Sequence, residues 1–283
     1  MIDVDSYLRV LGMDRPPAPT LEALAALHRA HVERVPYASL DIFLGRPAGI
    51  GAAESAERIA RGRGGYCFHL NGAFAALLSA LGYDVTRHRA GVQESAAAEA
   101  GAGGNHLALT VRVDGEGWLV DTGLGDGIHE PLPLREGTYT QGPFTYRMAP
   151  SVAEPGGWRL TNDPRGTFLA MDFAPGPVAL ESFREKHAAL STSPDSGYVR
   201  VLTAQLRHAR GVDVLRGCVV RRIHGGGTDE RTVGDPGEWY DVLAGVFRLD
   251  LSDLDAPARE RLWRKVRTAH EEWERSVPSR AGL

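Results

Sequence analysis

The stretch Arg63-Gly64-Gly65-Tyr66-Cys67-Phe68-His69-Leu70-Asn71 joins a glycine-rich turn to a helical pattern. After it, apolar residues recur at the spacing of one helix face: Leu70, Phe74, Leu77, Leu78 and Leu81. Gly82 then supplies a left-handed stop. The pattern predicts an amphipathic helix that carries Cys67 in its first turn and that is reached through a flexible turn.

Cys67 is a candidate nucleophile because of this position. The free N–H groups and the dipole of a helix N-terminus stabilise a thiolate, which is the reactive form of cysteine. The preceding glycines let the backbone approach a substrate and point N–H groups at a developing oxyanion. A free cysteine is also often simply a small buried hydrophobic residue. The position alone therefore leaves both interpretations open.

A hairpin predicted further along the chain offers a base and a carboxylate. Residues 106–113 and 116–122 have the period of β-strands and flank Asp114-Gly115, a strong turn signal. In that register His106 and Asp121 are diagonal neighbours on one face of the ribbon, about 7–8 Å apart between Cα atoms. A carboxylate can reach an imidazole across that distance. With the cysteine, the two would complete a nucleophile, base and orienting carboxylate; the alternative is an unpartnered surface pair.

The composition is that of an ordinary globular protein. The 283 residues are 43% hydrophobic and 24% charged, with a net charge of −4 and both signs mixed along the chain, which argues against nucleic-acid binding. Neither a signal pattern at the start nor a run of roughly 20 apolar residues is present, so we expect a cytoplasmic protein without a membrane span. Cys67 and Cys218 should then be free thiols, the latter in a core strand. No spacing of cysteine and histidine is typical of a metal site.

Helical patterns come first, short strands follow, and the chain ends in a mixed region. Helices are predicted at 21–33, 53–60, 180–190, 236–244 and 257–274; strands at 85–92, 106–113, 116–122, 144–148, 158–161, 167–173 and two or three within 199–223. Gly225-Gly226-Gly227 is predicted to be a loop. This order predicts an α+β fold.

The residues around Cys67 resemble the active-site signature of the arylamine N-acetyltransferase family, R-G-G-[FY]-C-[FY]-E-x-N. Asn105-His106 then opens a strand, and Leu119-Val120-Asp121-Thr122-Gly123-Leu124-Gly125 is similar to the family's L-V-D-V-G-F-G. Shorter similarities extend over nearly the whole chain: Val35-Pro36-Tyr37, Gly142-Pro143-Phe144, Ser191-Thr192-Ser193-Pro194 and Thr228-Asp229-Glu230-Arg231-Thr232.

This resemblance implies a cysteine-protease-like catalytic core in three parts. They are an N-terminal helical bundle (1–90) bearing the cysteine, a central β-barrel (91–198) bearing His106 and Asp121, and a C-terminal α/β lid with helices (199–283). It also implies ping-pong acyl transfer. Cys67, deprotonated by His106, would take the acyl group from a thioester, usually acetyl-coenzyme A, and pass it to an aromatic amine or hydrazine. No permanently bound cofactor is expected.

The resemblance also implies further site residues. The backbone around Tyr66 to Phe68 is the candidate oxyanion hole, and both residues are candidates for the substrate pocket. Gly123 and Gly125 would leave room for the pantetheine arm of the coenzyme. Leu124 stands where many members carry phenylalanine, which would widen or reshape the acceptor pocket.

The chain departs from the family pattern at two further places. His69 replaces the usual glutamate, and Ala38-Ser39 replaces Glu-Asn, so both changes remove an acidic group near the helical part. We expect His69 on the helix surface or behind the catalytic residues rather than as a second proton carrier. The triad is intact, so these departures affect the expected substrate more than the chemistry.

Three other functions remain open. The chain could be an amide synthase of the same family that takes its acyl chain from an acyl carrier protein. It could be a hydrolase, because transglutaminase-like and papain-like enzymes also order Cys, His and Asp or Asn in this way. It could also bind an acyl carrier or ligand without turnover. The sequence does not identify the acceptor amine.

Overall fold

The computed structural model describes residues 2–276, which form an α+β fold with helices first, a large antiparallel sheet in the middle and a smaller sheet with helices at the end. The first part contains α1 (Val4–Leu11), α2 (Leu21–Arg34), the short strand β1 (Tyr37–Ala38), α3 (Leu40–Phe43), α4 (Ala52–Ala60) and α5 (Cys67–Ala80). The predicted fold class is therefore confirmed.

The large sheet is curved into a nearly closed barrel. Its strands are β2 (Asp84–Gln93), β3 (His106–Val113), β4 (Glu116–Val120), β5 (Leu132–Pro133), β6 (Gly137–Gln141), β7 (Phe144–Pro150), β8 (Trp158–Thr161) and β9 (Ala170–Pro177). They are arranged in the order β5-β4-β3-β2-β9-β8-β7-β6, and every pairing is antiparallel.

The C-terminal part packs helices against a second antiparallel sheet. A 3₁₀ turn (Leu180–Phe183), α6 (Arg184–Thr192) and α7 (Gly197–Arg200) lead into β10 (Thr203–His208), β11 (Gly211–Arg216), β12 (Val219–His224) and β13 (Gly227–Thr232). α8 (Pro236–Asp241), a π-helical turn (Val242–Val246) and α9 (Ala256–Ser276) follow. β1 pairs with β10, so the smaller sheet includes a strand from the helical part.

Helix α5 is buried on every side, so the prediction of an amphipathic helix is wrong. All residues from Cys67 to Ala75, together with Leu77 and Leu78, are buried. α5 packs against α1, α4, β2 and β3, and only its last turn, at Ser79 and Ala80, is exposed. Fully burying one Leu or Phe side chain stabilises a fold by about 1.5–3 kcal/mol. Cys67, the predicted nucleophile, therefore lies on a deeply buried helix.

The hairpin register agrees with the prediction. Val113 pairs with Glu116 across Asp114 and Gly115, both of which have positive φ, as a two-residue type I′ turn requires. β4 ends at Val120, two residues earlier than predicted, because the chain leaves the sheet at Asp121 to contact α5.

Three further differences from the predicted elements concern β1, α7 and the glycine triplet. β1 was not predicted, and Val199 belongs to α7 rather than to a strand. Gly227 begins β13 after a tight turn, so the glycine triplet is not entirely loop. The division at 1–90, 91–198 and 199–283 stays a prediction; β2 begins inside the first range, and Met1 and residues 277–283 lie outside the described residues.

One glycine of β2 allows the segment that leads to His106 to pack closely on the strand. A Cβ on Gly91 would lie 2.1 Å from the carbonyl oxygen of Gly101 and 2.8 Å from the nitrogen of Gly103. The same segment is anchored by Asn105, whose Oδ1 accepts a hydrogen bond from Val92 N at 2.8 Å. The loop before β3 therefore packs directly on the β2 backbone.

We predict that Gly91→Ala lowers the free energy of unfolding by roughly 1–3 kcal/mol, because the added methyl group pushes backbone atoms apart. Gly103→Ala is the matched control, since a Cβ there meets nothing within 4 Å. Urea denaturation of both variants measures the difference. Equal losses of stability would contradict this account of the loop.

Candidate active site

The structure brings the three predicted catalytic residues together. Cys67 is the first residue of α5, His106 is the first residue of β3, and Asp121 directly follows β4. Nε2 of His106 lies 2.7 Å from Oδ2 of Asp121, and the Cys67 thiol interacts with the same ring. With Nε2 on the carboxylate, Nδ1 is the nitrogen left for the thiol. All three residues are buried, with 1–2% of their surface exposed.

The Asp121 carboxylate is held from several sides. Besides His106 on Oδ2, its Oδ1 atom accepts hydrogen bonds from Nδ2 of Asn71 at 2.8 Å and from the backbone N–H of Gly123 at 2.9 Å. A buried carboxylate is tolerated only when its oxygens are paired in this way. The carboxylate therefore has one orientation, and it fixes the imidazole with it.

Asn71 connects the nucleophile helix to the hairpin. It lies one helical turn after Cys67 on α5, and its Nδ2 also donates to the Leu107 carbonyl at 2.6 Å. Its Oδ1 accepts from the backbone N–H and the hydroxyl of Thr122, at 2.8 and 3.0 Å. In the sequence, Asn71 stands out only as part of the motif around Cys67. The i, i+4 spacing from Cys67 places both side chains on one helix face, which was the available signal.

His28, on α2, supports the site from behind. Its Nδ1 lies 3.0 Å from the carbonyl oxygen of His129, and its Nε2 lies 3.2 Å from the backbone nitrogen of Asp121. Burial lowers the pKa of His28 to about 4, so the ring is neutral. Nε2 also lies 3.0 Å from the carbonyl oxygen of Asp121, so the neutral ring contacts the Asp121 backbone at both its N–H and its carbonyl group. His28 lies within the helix predicted at 21–33, but no pattern in the sequence indicates this role.

The neighbours of His106 stabilise a positive charge on its ring. Burial alone would lower its pKa, but the Asp121 carboxylate and then the Cys67 side chain outweigh burial and raise that pKa to about 10. At neutral pH the ring is therefore an imidazolium in contact with a carboxylate on one side and the sulfur on the other.

A cavity of about 1190 Å³ opens at Cys67. Cys67, His106, Gly123 and Leu124 are among its lining residues. This size exceeds the usual range of about 300–1,000 Å³ for small-molecule sites. The cavity reaches from the triad past β11 and β12 to α9.

The cavity wall carries more basic than acidic side chains, although the whole chain is weakly acidic and three of the basic residues pair with carboxylates outside the lining. Two acidic residues, Glu94 and Glu272, line it beside seven basic ones: Arg165, Arg200, Arg216, Arg221, Arg261, Arg264 and Lys265. Grouped cations in a cleft focus a positive potential that attracts anionic ligands.

The candidate pocket residues separate into two groups. Leu124 and Gly123 line the cavity, whereas Tyr66 and Phe68 are fully buried and their side chains pack away from it. The hydroxyl of Tyr66 is 2.6 Å from Nδ1 of His187, and the ring of Phe68 packs on Phe183 with centroids 5.0 Å apart. The backbone N–H groups at the start of α5 have no partner within the helix. Their assignment as an oxyanion hole stays a prediction.

Gly123 and Gly125 permit close packing around the site. A Cβ on Gly123 would lie 2.7 Å from the Cα of Cys67, so only glycine lets this loop reach the nucleophile helix. Gly125 has a φ of +73°, and a Cβ there would overlap Oε1 of Gln205. Gly125 is not among the lining residues that the described chain contributes to the cavity. Coenzyme contact by either glycine stays a prediction.

His69 lies behind the catalytic residues and not on the helix surface. It is 3% exposed and packs between Tyr66 and His187, with ring centroids 5.0 and 5.7 Å away. Burial, followed by the nearby Arg58, lowers the pKa of His69 to about 3, so it is neutral. The surface alternative was wrong because α5 has no exposed face.

An acidic group does remain in the region where the two departures remove acidic residues. The buried Asp41 carboxylate lies 2.7 Å from Nη2 of Arg58 and 2.7 Å from Nη2 of Arg63, which begins the catalytic motif. Ser39 contributes to packing instead, since its Oγ accepts a hydrogen bond from Thr203 N at 3.0 Å.

Two negative findings concern the described residues alone. Among residues 2–276, no group of His, Cys, Asp and Glu has an arrangement suited to hold a metal ion. Within that same range, every helix is too short or too polar to cross a lipid bilayer.

The chain is similar to known enzymes in sequence and fold. A family model described as N-acetyltransferase matches residues 20–256. The arylamine N-acetyltransferase of Mycolicibacterium smegmatis is 29% identical over 261 residues, covering 89% of this chain and 94% of that protein. Proansamycin X synthase of Amycolatopsis mediterranei is 35% identical over 153 residues, covering 52% of this chain and 58% of the synthase, so that match spans little more than half of either protein.

The likeness extends to three dimensions. The structure of the Mycobacterium marinum arylamine N-acetyltransferase in complex with CoA superposes with a TM-score of 0.84 at 27% identity, over 94% of this chain and 99% of that one. The matched family model covers most of the chain, including Cys67, His106 and Asp121. This protein is therefore an enzyme of the arylamine N-acetyltransferase family.

Proposed function

We propose that this enzyme transfers an acetyl group from acetyl-coenzyme A through a thioester on Cys67 to an arylamine, an arylhydrazine or a related amine. The observation that carries the proposal is the buried Cys67, His106 and Asp121 arrangement at the end of a large basic cavity. A CoA complex of a relative with the same fold supports the choice of donor.

The first half-reaction loads the cysteine. The imidazolium of His106 holds the proton that Cys67 has given up, and the thiolate sulfur attacks the carbonyl carbon of the donor thioester. The new S–C bond forms, the carbonyl electrons move to oxygen, and they return as the C–S bond to the coenzyme breaks. The coenzyme leaves as a thiol with the proton from His106. Asp121 holds the imidazolium throughout, because it stays hydrogen-bonded to Nε2.

The second half-reaction unloads the acyl group. The amine nitrogen attacks the thioester carbon and loses a proton to His106. As the C–S bond to Cys67 breaks, its electron pair stays on sulfur, and the amide leaves behind a thiolate beside the protonated His106. The same three residues therefore serve both steps, in keeping with a ping-pong order.

The basic wall suits the donor. Coenzyme A carries several phosphate charges, and Arg and Lys are the residues that bind phosphate in proteins. The cations on β11, β12 and α9 lie along the cavity away from Cys67, so phosphates held there would leave the pantetheine arm to reach the sulfur.

A second candidate is an amide synthase that takes its acyl chain from a carrier protein. Two observations favour it: the 35% identity to proansamycin X synthase and the large cavity with Leu124 in its wall. A cavity of this volume has room for a long acyl chain, whereas an acetyl group needs far less space. A hydrolytic reaction stays the third possibility, in which water replaces the amine.

Intact-protein mass spectrometry tests the covalent step. Mixing the protein with acetyl-CoA should add one acetyl group, which Cys67→Ala abolishes and Cys218→Ala retains. Longer acyl thioesters, both CoA-bound and carrier-bound, establish the donor. Loading by carrier-bound chains alone would favour the amide synthase. Release of free acid in the presence of amines would favour the hydrolase.

Alkylation compares the two thiols within one protein. Cys67 faces the cavity beside His106, whereas Cys218 is fully buried and burial raises the pKa of its thiol. Iodoacetamide at neutral pH should therefore modify Cys67 much faster, as followed by peptide mapping over time. His106→Gln should slow only Cys67. Equal rates in the native protein would argue against an activated thiol.

The charge on His106 makes part of the stability pH-dependent. Its pKa is about 10 in the folded protein and about 6.5 when the chain is unfolded. A group whose pKa rises on folding contributes fully below its unfolded pKa, and its contribution is lost as the pH rises through the folded value. The excess stability of the native protein over His106→Gln should thus decrease from pH 6.5 to pH 10. Urea titrations at several pH values measure it; a constant excess would contradict the assigned charge.

A further inference from the structure

Two tyrosine hydroxyl groups meet in the cavity beside the nucleophile. The hydroxyl of Tyr37 donates to the hydroxyl of Tyr198 at 2.8 Å, and both residues line the cavity together with Cys67 and His106. This hydrogen bond uses one of the two hydroxyl protons. The proton of Tyr198 stays available to a third group.

Tyr37 is tied to the turn that starts α5. It forms an isolated β-bridge with Gly65, two residues before Cys67, and the adjacent Ala38 N–H donates to the Gly65 carbonyl at 2.7 Å. On its other side Tyr37 pairs with Gln205 of β10. The tyrosine is therefore held on two sides by backbone, at a fixed place relative to the nucleophile.

Tyr198 is held against the residue that precedes Cys67. Its ring packs edge-on against the ring of Tyr66, with centroids 5.2 Å apart and an interplanar angle of 67°. Its backbone N–H is capped by the hydroxyl of Ser196 at 3.3 Å at the start of α7. Both members of the pair thus approach the N-terminus of α5 from the side of the cavity.

The electrostatics agree with this placement. Burial is the main cause that raises the pKa of Tyr198, and negative charge at Cys67 adds to it. For Tyr37, burial, the partner tyrosine and Cys67 act in the same direction on its pKa. Both hydroxyls therefore keep their protons at neutral pH and can donate hydrogen bonds to a neighbouring negative charge.

We propose that the Tyr37–Tyr198 hydroxyl pair stabilises the oxyanion that forms when Cys67 is acylated. Tyr37 donates to Tyr198, and Tyr198 donates to the acyl oxygen while its carbon is bonded to both sulfur atoms. No proton is transferred: the negative charge forms on that oxygen as the Sγ–C bond is made, and the C=O bond is restored as the leaving thiol departs. The inference rests on the proposed acyl transfer.

The hydrogen bond from Tyr37 to Tyr198 makes the Tyr198 hydroxyl a better donor than a single tyrosine hydroxyl would be. A hydroxyl that accepts one hydrogen bond becomes a stronger donor in the next, so Tyr37 polarises Tyr198. The donor is also positioned before the charge develops, which avoids reorganisation during the reaction. These side chains would supplement the backbone N–H groups at the start of α5.

The test separates acylation from thiol reactivity. p-Nitrophenyl acetate acylates a cysteine through an oxyanion, whereas iodoacetamide alkylates it by displacement at carbon without one. Both reactions are measured on the full chain for the native protein, Tyr198→Phe, Tyr37→Phe and the control Tyr83→Phe, whose hydroxyl donates to the Thr20 carbonyl outside the cavity lining. Circular dichroism confirms that each variant folds.

Removing one oxyanion donor costs about 100-fold or more in rate, so Tyr198→Phe should slow the acylation burst by about that factor. Tyr37→Phe should slow it less, because Tyr198 still donates. Neither variant should change the alkylation rate, and Tyr83→Phe should match the native protein in both reactions.

Unchanged acylation in Tyr198→Phe would overturn the inference, and so would a parallel loss of acylation and alkylation. Should Tyr198→Phe not fold, Tyr37→Phe decides by the same two rates. The native protein distinguishes this result from failure of the proposed function, since absence of any Cys67-dependent burst or acetyl adduct would refute acyl transfer itself.

Discussion

The rest of the site depends on one buried carboxylate. The Asp121 side chain is almost completely buried, so both of its carboxylate oxygens must accept hydrogen bonds from protein groups. The pairing groups come from β3, from α5 and from the loop after β4. Satisfying this single charge therefore fixes the distance between the nucleophile helix and the hairpin. Replacing any one partner leaves a buried charge incompletely paired, which costs more than the lost hydrogen bond alone.

The same constraint accounts for the neighbouring sequence. Gly123 must lack a side chain because its loop touches the Cα of Cys67, and Asn71 must be an amide because it donates to a carboxylate and accepts from Thr122 at once. His28 is neutral because it is buried, and its Nε2 contacts the backbone of Asp121. The atoms that hold the Asp121 carboxylate thus also pack α5 against the hairpin.

Local signals in the sequence predicted a good part of this arrangement. Asp114-Gly115 set the register of the hairpin and hence the meeting of His106 with Asp121, and the glycine turn predicted Cys67 at a helix start. The docking of α5 on the hairpin could not be predicted, because it is a long-range contact with no local pattern. For the same reason the sequence could not decide between the two places expected for His69.

The basic wall escaped prediction for a related reason. Its cations are dispersed over residues 165–265 with acidic residues between them, and a chain-wide charge of −4 conceals them. Only the fold brings them to one cavity. The family resemblance predicted the chemistry, whereas the cavity wall is built from separate segments whose proximity has no local signal in the sequence.

The pairing of Tyr37 with Gln205 has a consequence for how the enzyme is made on the ribosome. The triad and the groups that hold it lie within residues 28–129, whereas Tyr198, β10 and α9 are synthesised afterwards. At about 5–20 residues per second, the wall that carries these later residues emerges on the order of ten seconds after the triad. A nascent chain therefore contains Cys67, the proposed nucleophile, before it contains the C-terminal part of the cavity wall, and docking of the C-terminal sheet on β1 completes the cavity.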